Sequence, residues 1–412
     1  MIENLTMFGK QAEYKIADDI YNAITTDGNA REAIGELLKI AERYRICGNI
    51  YKGFIAWLMI HDENPYSLSC EMNDTETGAL CKFAELDAKY LYELFNLDFA
   101  KYESELFTLI NDFTYSNTFG CENLTEIGEM SSSLAEKLDS AQNAAEFLEH
   151  ITEFYCTNGV GAFGLNKAFY IDLTNKMKLV PISDFERPHL SDMWGYETQK
   201  KQLVDNTEAF LKGKAANNVL LYGDSGTGKS TSIKAILNEY SPKGLRMIEV
   251  YKHQFSCLPQ LIEMLRPRQY KFIIFMDDLS FEDFEIEYKY LKAIIEGGLE
   301  KKPDNVLIYA TSNRRHLIRE SFSDRDSSDD IHKNDTVQEK LSLSDRFGLT
   351  IGFTKPLQKE YYEIVRYLAK QHNINMPDDE LTLQANQWGL KHGGISGRVA
   401  RQFINHLLGA KE

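Results

Sequence analysis

Apolar positions recur at three- and four-residue intervals along much of residues 1–155. This spacing places side chains on one face of an α-helix, so the segment is predicted to be mostly helical. The recurring positions are Ile34, Leu37, Leu38 and Ala41; Leu86, Tyr90, Leu91, Leu94 and Phe95; and Leu134, Leu138, Ala141 and Ala145. The segment is also rich in Tyr and Phe, which at this spacing are more typical of a packed core than of a ligand-binding surface.

A different pattern begins at residue 168. The run AFYIDL, the turn-like TNK and the run MKLVPI predict a short β-hairpin, which Pro181 ends. We therefore interpret residues 156–189 as a hairpin and linker that follow the helical domain.

Between residues 190 and 355, short apolar runs alternate with helical stretches. Runs of this kind are typical of strands buried on both faces, and the intervening helices predict a parallel α/β sheet. The five runs are NVLLYG (218–223), LRMIEVY (245–251), KFIIFMDD (271–278), NVLIYATS (305–312) and LTIGFTK (349–355). The polar stretch 321–335 is predicted to be a surface loop.

The pattern becomes purely helical again after Pro356. Helices are predicted over residues 360–373, 379–392 and 396–408. Residues 356–412 are therefore predicted to form a separate helical lid beside the α/β core of residues 190–355.

The chain length and the distribution of charge limit the number of domains and the classes of function that can be expected. A chain of 412 residues exceeds the size at which one core usually stops growing, so two or three domains are expected. Residues 1–155 carry 11 Lys and Arg against 28 Asp and Glu, a net charge of −17, whereas the remaining residues carry 35 against 34. An acidic-to-neutral surface attracts phosphate backbones poorly, so nucleic-acid binding is disfavoured.

Compartment and membrane attachment can also be predicted. The six cysteines are scattered without a C-x-x-C pair, as expected of thiols in a reducing compartment. The first residues, MIENLTMFGK, lack the order of a signal peptide, and the most apolar run, residues 50–60, contains Lys52 and is too short to span a bilayer. A cytoplasmic protein without a membrane partner is the prediction.

The run GDSGTGKS, residues 223–230, matches the phosphate-loop pattern G-x-x-x-x-G-K-[ST] and lies between a predicted strand and a predicted helix. Its glycines let backbone N–H groups curl around phosphate oxygens, and the helix presents its positive end to the same anion. Lys229 can reach the β- and γ-phosphates, and Ser230 can offer its hydroxyl to Mg²⁺. The candidate nucleotide-binding residues are Gly223, Asp224, Ser225, Gly226, Thr227, Gly228, Lys229, Ser230 and Thr231.

Two further strand ends carry candidate chemistry. Asp277 and Asp278 end an apolar run, where Asp277 would bind Mg²⁺ and Asp278 would orient or deprotonate the attacking water. Asn313 follows the next run and can hold that water or touch the γ-phosphate. The alternative interpretations are that the two acids cap the next helix and that Asn313 is a turn residue.

A second glycine cluster, residues 159–164, fits G-x-G-x-x-G. It follows a helical stretch rather than a strand, so the βαβ unit of a dinucleotide site is missing from the pattern. Turn geometry is the favoured interpretation of this cluster.

The order of the phosphate loop, FIIFMDD, ATSN, SDRFG and GISGR resembles that of an AAA+ ATPase module. More narrowly, NNVLLYGDSGTGKS, FMDDLSFE, YATSNRRHL and EKLSLSDRFGL resemble an uncharacterised bacterial family of AAA-type ATP-binding proteins. The resemblance is strong over residues 160–412 and weak before them. It implies a P-loop NTPase αβα sandwich with a five-stranded parallel sheet, a C-terminal helical lid and a mostly α-helical N-terminal domain.

The resemblance also implies residue roles. It makes Asn313 the first sensor, Arg346 an arginine finger that reaches a neighbouring subunit, and Arg398 the second sensor, and it places residues 193–196 near the adenine. Arg346 could instead form a structural ion pair with a nearby acid. The typical AAA+ acidic pair is Asp-Glu, whereas this chain has Asp277-Asp278, so slow turnover is an open alternative.

Three functional hypotheses follow from these residues. The first is an Mg²⁺-dependent ATPase, acting as a homo-oligomer (a hexamer by family analogy), whose hydrolysis moves the lid and acts on a protein partner held by the acidic N-terminal domain. The second is a switch or scaffold that binds ATP and barely hydrolyses it. The third is a DNA-associated ATPase, against which the charge distribution stands, although Lys391, Arg398 and Arg401 could form a small basic patch.

Overall fold

The computed structural model describes residues 2–26, 29–72, 78–99, 105–116, 122–281, 285–296, 303–315, 317 and 343–409. The stretch 321–335, expected from the sequence to be a surface loop, lies outside these residues. The chain divides into two compact units: Met1–Asn166 with Pro181–Phe185, here called the helical unit, and Lys167–Val180 with Glu186–Glu412, here called the sheet unit.

The helical unit is built around one predominantly apolar helix. Its helices are α1 (Tyr14–Thr25), α2 (Arg31–Tyr44), α3 (Ile50–His61), α4 (Pro65–Glu71), α5 (Ala79–Phe95), α6 (Glu105–Asn111), α7 (Glu122–Asp139), α8 (Ala144–Asn158) and α9 (Gly161–Leu165). Helix α3 is buried along most of its length, and α2, α5, α6, α7 and α9 pack against it. A helix with apolar residues on nearly every side belongs at the centre of a bundle.

The buried face predicted for α5 is wrong at one position, residue 86. Leu91, Leu94 and Phe95 are buried as expected, but Leu86 is 51% exposed and Asp87 is buried in its place. The reason is a backbone contact, since the Asp87 carboxylate accepts hydrogen bonds from the N–H groups of residues 6, 7 and 8 at 2.8–3.1 Å. A paired carboxylate of this kind can be buried at little cost.

The second glycine cluster belongs to the helical unit. It covers the end of α8 and the five-residue helix α9, with Gly159 and Gly161 at φ of +76° and +62°. Within the described residues, no helix is both long enough and apolar enough to cross a membrane.

The sheet unit carries a seven-stranded sheet in the order β2-β1-β4-β5-β6-β3-β7. The strands are β1 (Ala168–Asp172), β2 (Lys178–Pro181), β3 (Val219–Gly223), β4 (Leu245–Glu249), β5 (Lys271–Met276), β6 (Val306–Ser312) and β7 (Leu349–Phe353). The five predicted runs are all strands, and every neighbouring pair among β4, β5, β6, β3 and β7 is parallel.

The predicted strand count of five is corrected to seven. The hairpin strands β1 and β2 are part of the same sheet, because β1 pairs in parallel with β4, with Ala168 opposite Met247. This pairing covers an edge of β4 whose N–H and C=O groups would otherwise lack sheet partners. Phe169 and Ile171 are buried there.

Helices complete the sheet unit and form the lid. They are α10 (Glu197–Leu211), α11 (Lys229–Tyr240), α12 (Leu258–Leu265), α13 (Glu287–Glu296), α14 (Gln358–Gln371), α15 (Asp378–Lys391) and α16 (Gly397–Gly409). Helix α10 packs against β7, and α11 packs against β4 and β6. The last three helices share a core of their own, in which Tyr361, Ala385 and Phe403 are buried.

The contact between α2 and α7 generates a stability prediction. A Cβ added at Gly128 of α7 would lie 1.7 Å from the carbonyl oxygen of Tyr44, whereas a Cβ at Gly35 of α2 would meet nothing within 4 Å. We expect Gly128→Ala to lower the free energy of unfolding by about 1–3 kcal/mol, as overpacking does. Gly35→Ala should raise it by about 0.5–1 kcal/mol, because alanine favours a helix interior.

Urea unfolding of the full chain, followed by circular dichroism, measures both changes. Equal midpoints for the two variants would show that α2 and α7 do not approach each other this closely.

Candidate functional site

The phosphate loop runs from β3 into α11 and lies against the end of β7. Gly223 has φ of +131°, and a Cβ there would lie 1.9 Å from the carbonyl oxygen of Phe353. That same oxygen accepts a hydrogen bond from the Asp224 N–H at 3.1 Å. Gly226 and Gly228 also have positive φ, of +78° and +95°. Only glycine fits the first position, because both the dihedral and the close approach exclude a side chain.

Lys229, the first residue of α11, is 7% exposed and points back into the loop. Its ammonium donates to the carbonyl oxygens of Gly223 and Asp224, both at 2.7 Å, and to Asn313 Oδ1 at 3.2 Å. Burial lowers the pKa of Lys229, and the charges of three nearby aspartates oppose that shift. The ammonium is therefore a partly desolvated cation, which interacts with an anion more strongly than an exposed lysine does.

The acidic pair lies beside the loop because of the strand order. Strand β6 pairs with both β5 and β3, so the carboxyl ends of all three meet at one edge of the sheet. Ser230 Oγ donates to Asp277 Oδ1 at 2.6 Å, and Asn313 Nδ2 donates to Asp278 Oδ1 at 2.7 Å. Asn313 thus bridges Lys229 and Asp278, with its carbonyl toward the first and its amide N–H toward the second.

The lid closes the other side of the loop. The backbone N–H of Arg398 donates to the carbonyl oxygen of Gly226 at 3.2 Å. Arg398, Arg401, Gln402 and Asn405 all line the cavity above the loop. Their spacing of three, four and seven residues puts them on one face of α16.

The cavity has a volume of about 620 Å³ and is lined by apolar as well as charged side chains. Met193, Trp194 and Tyr196 line it from the core, and Ile364 and Leu368 line it from the lid. A lining that combines apolar and charged side chains suits a ligand with a flat base and a charged tail. Of the residues predicted to lie near the adenine, Met193, Trp194 and Tyr196 line this cavity.

A family model described as "Protein of unknown function (DUF815)" matches residues 165–411. The chain belongs to the DUF815 family. Its sheet unit is an AAA+ P-loop module, with the phosphate loop after β3, an acidic end on β5 and a helical lid after β7.

The other similarities of this DUF815 chain are partial. A segment of 67 residues is 36% identical to the Replication factor C large subunit of Staphylothermus marinus, and it spans 16% of this chain and 15% of that protein. The solved Holliday junction branch migration motor RuvB of Thermotoga maritima has 18% identity, a TM-score of 0.33 and coverage of 54% of this chain and 72% of RuvB. A point mutant of RuvB has 19% identity and a TM-score of 0.37, with 54% of this chain and 65% of that chain covered.

One predicted site residue of the DUF815 module lies elsewhere. Strands β3 and β7 are parallel, with Val219 opposite Leu349 and Gly223 opposite Phe353. Arg346 precedes β7, so it lies at the amino edge of the sheet, whereas the phosphate loop lies at the carboxyl edge. Its side chain is half-buried there. Arg346 is therefore not part of the cavity in its own chain.

Thr311 is part of the site, although the sequence analysis did not identify it. Its hydroxyl contacts Asp277 Oδ1 at 2.5 Å and the backbone N–H of Asp278 at 2.9 Å. A signal was present in the sequence, because side chains alternate along a strand and residue 311 shares a face with Asn313. The clue was a polar residue on the same face as Asn313, near the end of a mostly apolar run.

Proposed function

We propose that this DUF815 protein binds ATP with Mg²⁺ at the phosphate loop and hydrolyses it. The observation that carries the proposal is the cavity shared by Lys229, Asp277, Asp278 and Arg398. The two cations would face phosphate oxygens, and the two carboxylates would lie near a metal ion and a water molecule. Sites in which charged groups of opposite sign converge in one cleft are typical of catalytic centres.

Each residue has a separate part in this reaction. Backbone N–H groups of the loop and the Lys229 ammonium bind the β- and γ-phosphates. Ser230 and Asp277, which already share a hydrogen bond, offer the hard oxygen ligands that Mg²⁺ prefers. When bound, Mg²⁺ would neutralise charge on the phosphate oxygens as the terminal P–O bond breaks.

Asp278 is the proposed base. It would accept a proton from the attacking water as the bond from water oxygen to the γ-phosphorus forms and ADP leaves. Asn313, which contacts Asp278 at 2.7 Å, would hold that water, and Arg398 would stabilise the charge on the γ-phosphate.

Hydrolysis would move the lid through the segment that joins β7 to it. Asp224 Oδ2 accepts the Lys355 N–H at 3.0 Å, and the Tyr196 hydroxyl donates to the carbonyl oxygen of Thr354 at 2.8 Å. Both ends of the nucleotide would therefore touch residues that hold this segment. We propose that the resulting lid movement acts on a protein partner whose basic surface complements the acidity of residues 1–155.

The similarity to a replication factor favours a second candidate, a DNA-associated ATPase. Filter binding of duplex DNA at low and moderate salt separates the two, since a DNA-acting protein would retain DNA with a clear salt dependence. The near-neutral balance of residues 156–412 favours the protein partner.

Lys229→Ala tests nucleotide binding directly. Losing a hydrogen-bonding cation at a phosphate should weaken ATP binding roughly 10- to 100-fold, as the loss of a charged hydrogen bond does. Calorimetry with Mg²⁺ and ATP measures the change. Lys212→Ala is the matched control, because Lys212 is exposed on the surface and pairs with Glu208. Undiminished affinity in the Lys229 variant, or no affinity in the wild type, would reject the proposal.

Arg346→Ala tests the proposed action between subunits. We expect ATP binding to persist and turnover to fall by about 10³-fold or more, as for other arginine fingers. Mixing this variant with Lys229→Ala should restore part of the turnover, because one chain supplies the intact loop and the other supplies Arg346. A Lys229→Ala/Arg346→Ala double variant is the control and should restore no turnover when it is mixed with either single variant. Full activity of Arg346→Ala alone would refute the role.

Asp278→Glu tests whether the aspartate is a weakened substitute for glutamate. Asp278 has φ of +50°, a left-handed conformation in which Asp is several-fold enriched. Glutamate would be strained there, and its longer side chain would lose the contact with Asn313. We therefore expect slower single-turnover hydrolysis with unchanged ATP affinity. Faster hydrolysis would mean that the shorter side chain limits the rate and would favour the slow-switch alternative.

A further inference from the structure

Thr311 lies at the centre of the site rather than at its rim. It is the penultimate residue of β6 and is 2% exposed. Its strand separates the phosphate-loop strand from the acidic strand, with Thr311 opposite Leu221 on one side and Ala310 opposite Met276 on the other. The hydroxyl is therefore next to the point where the acidic pair leaves the sheet.

The hydrogen bonds of this hydroxyl have a fixed direction. The Asp278 backbone N–H can only donate, so Thr311 Oγ1 must accept that bond at 2.9 Å. The hydroxyl hydrogen is then available for Asp277 Oδ1, at 2.5 Å. The same carboxylate oxygen accepts from Ser230 at 2.6 Å. One side chain thus holds both members of the acidic pair.

The backbone of Thr311 makes a further hydrogen bond to the same turn. Its carbonyl oxygen accepts the Leu279 N–H at 2.7 Å. Two consecutive N–H groups after β5 are therefore bound by one residue, and the residue between strand and turn, Asp278, is held at φ of +50°. That conformation is uncommon outside glycine, and a surrounding structure must hold it in place. The Asp278 carboxylate then reaches Asn313.

We propose that Thr311 is a positioning residue for the reaction: its hydroxyl sets Asp277 against Ser230 for the divalent cation and fixes the Asp278 turn. The inference rests on the proposed ATP-dependent function and names a residue that acts through the two aspartates. It predicts a defect in the use of Mg²⁺ and in the hydrolytic step, with nucleotide binding by the loop itself preserved.

Thr311→Val is the main variant, because valine keeps the branched shape and removes the hydroxyl. Thr311→Ser keeps the hydroxyl. Ser312→Ala is the matched control, since Ser312 is also buried and its hydroxyl accepts only the Arg314 N–H among the described bonds. ATP affinity is measured in EDTA and across an Mg²⁺ titration, single-turnover hydrolysis is measured at saturating Mg²⁺, and circular dichroism checks the fold.

In Thr311→Val we expect ATP affinity in EDTA within about threefold of wild type. The Mg²⁺ concentration for half-maximal tightening of ATP should rise roughly tenfold, and hydrolysis should fall about 10- to 100-fold, the range for losing a hydrogen bond to a charged group. Thr311→Ser and Ser312→Ala should match wild type in all three measurements. Should the valine variant fail to fold, Thr311→Ala must show the same shift.

A purely structural role for Thr311 would give a different result. Affinity in EDTA and with Mg²⁺ would then fall together, and Ser312→Ala would behave like Thr311→Val. That outcome would overturn the proposal. So would wild-type Mg²⁺ dependence in the valine variant, or a loss of function in the serine variant. A wild-type protein with no affinity for ATP would instead reject the proposed function, so the two failures can be distinguished.

Discussion

The site depends on the position of one strand. Because β6 pairs with both β5 and β3, the phosphate loop, the acidic pair and Asn313 emerge within hydrogen-bonding distance of one another. Residues that are 47 positions apart in the chain, such as Ser230 and Asp277, are brought to 2.6 Å. Parallel sheets place functional groups at their carboxyl edge for this reason, since every strand ends there.

Hydrogen bonds at this edge connect the cation of the phosphate loop to the acidic pair. The Lys229 ammonium uses loop carbonyls and the Asn313 amide oxygen as acceptors, while the amide nitrogen of Asn313 satisfies Asp278. A γ-phosphate would compete for Lys229, because an anion is a stronger acceptor than a carbonyl oxygen. Because Asn313 contacts both Lys229 and Asp278, this competition would also affect the contact between Asn313 and Asp278.

In the helical unit, buried carboxylates stabilise the fold by accepting hydrogen bonds from the backbone. Asp87 binds three consecutive backbone N–H groups, and Glu71 accepts the Val160 N–H at 3.2 Å. Each fixes a segment distant in sequence. The acidity of residues 1–155 is therefore partly internal, and only the exposed carboxylates can serve in recognition of a partner.

The sequence by itself determined the five core strands, the three lid helices and the phosphate loop, because periodicity and a glycine-rich turn are local properties of the chain. The edge pairing of β1 with β4, the burial of Asp87 and the hydrogen bonds of Thr311 were decided only by the tertiary structure. Each of these depends on partners about 30 to 80 residues away, such as Met247 for Ala168 and Asp277 for Thr311. No local pattern encodes which distant backbone group a polar side chain will meet, so hydrogen bonds of this kind become visible only when the strands are packed together.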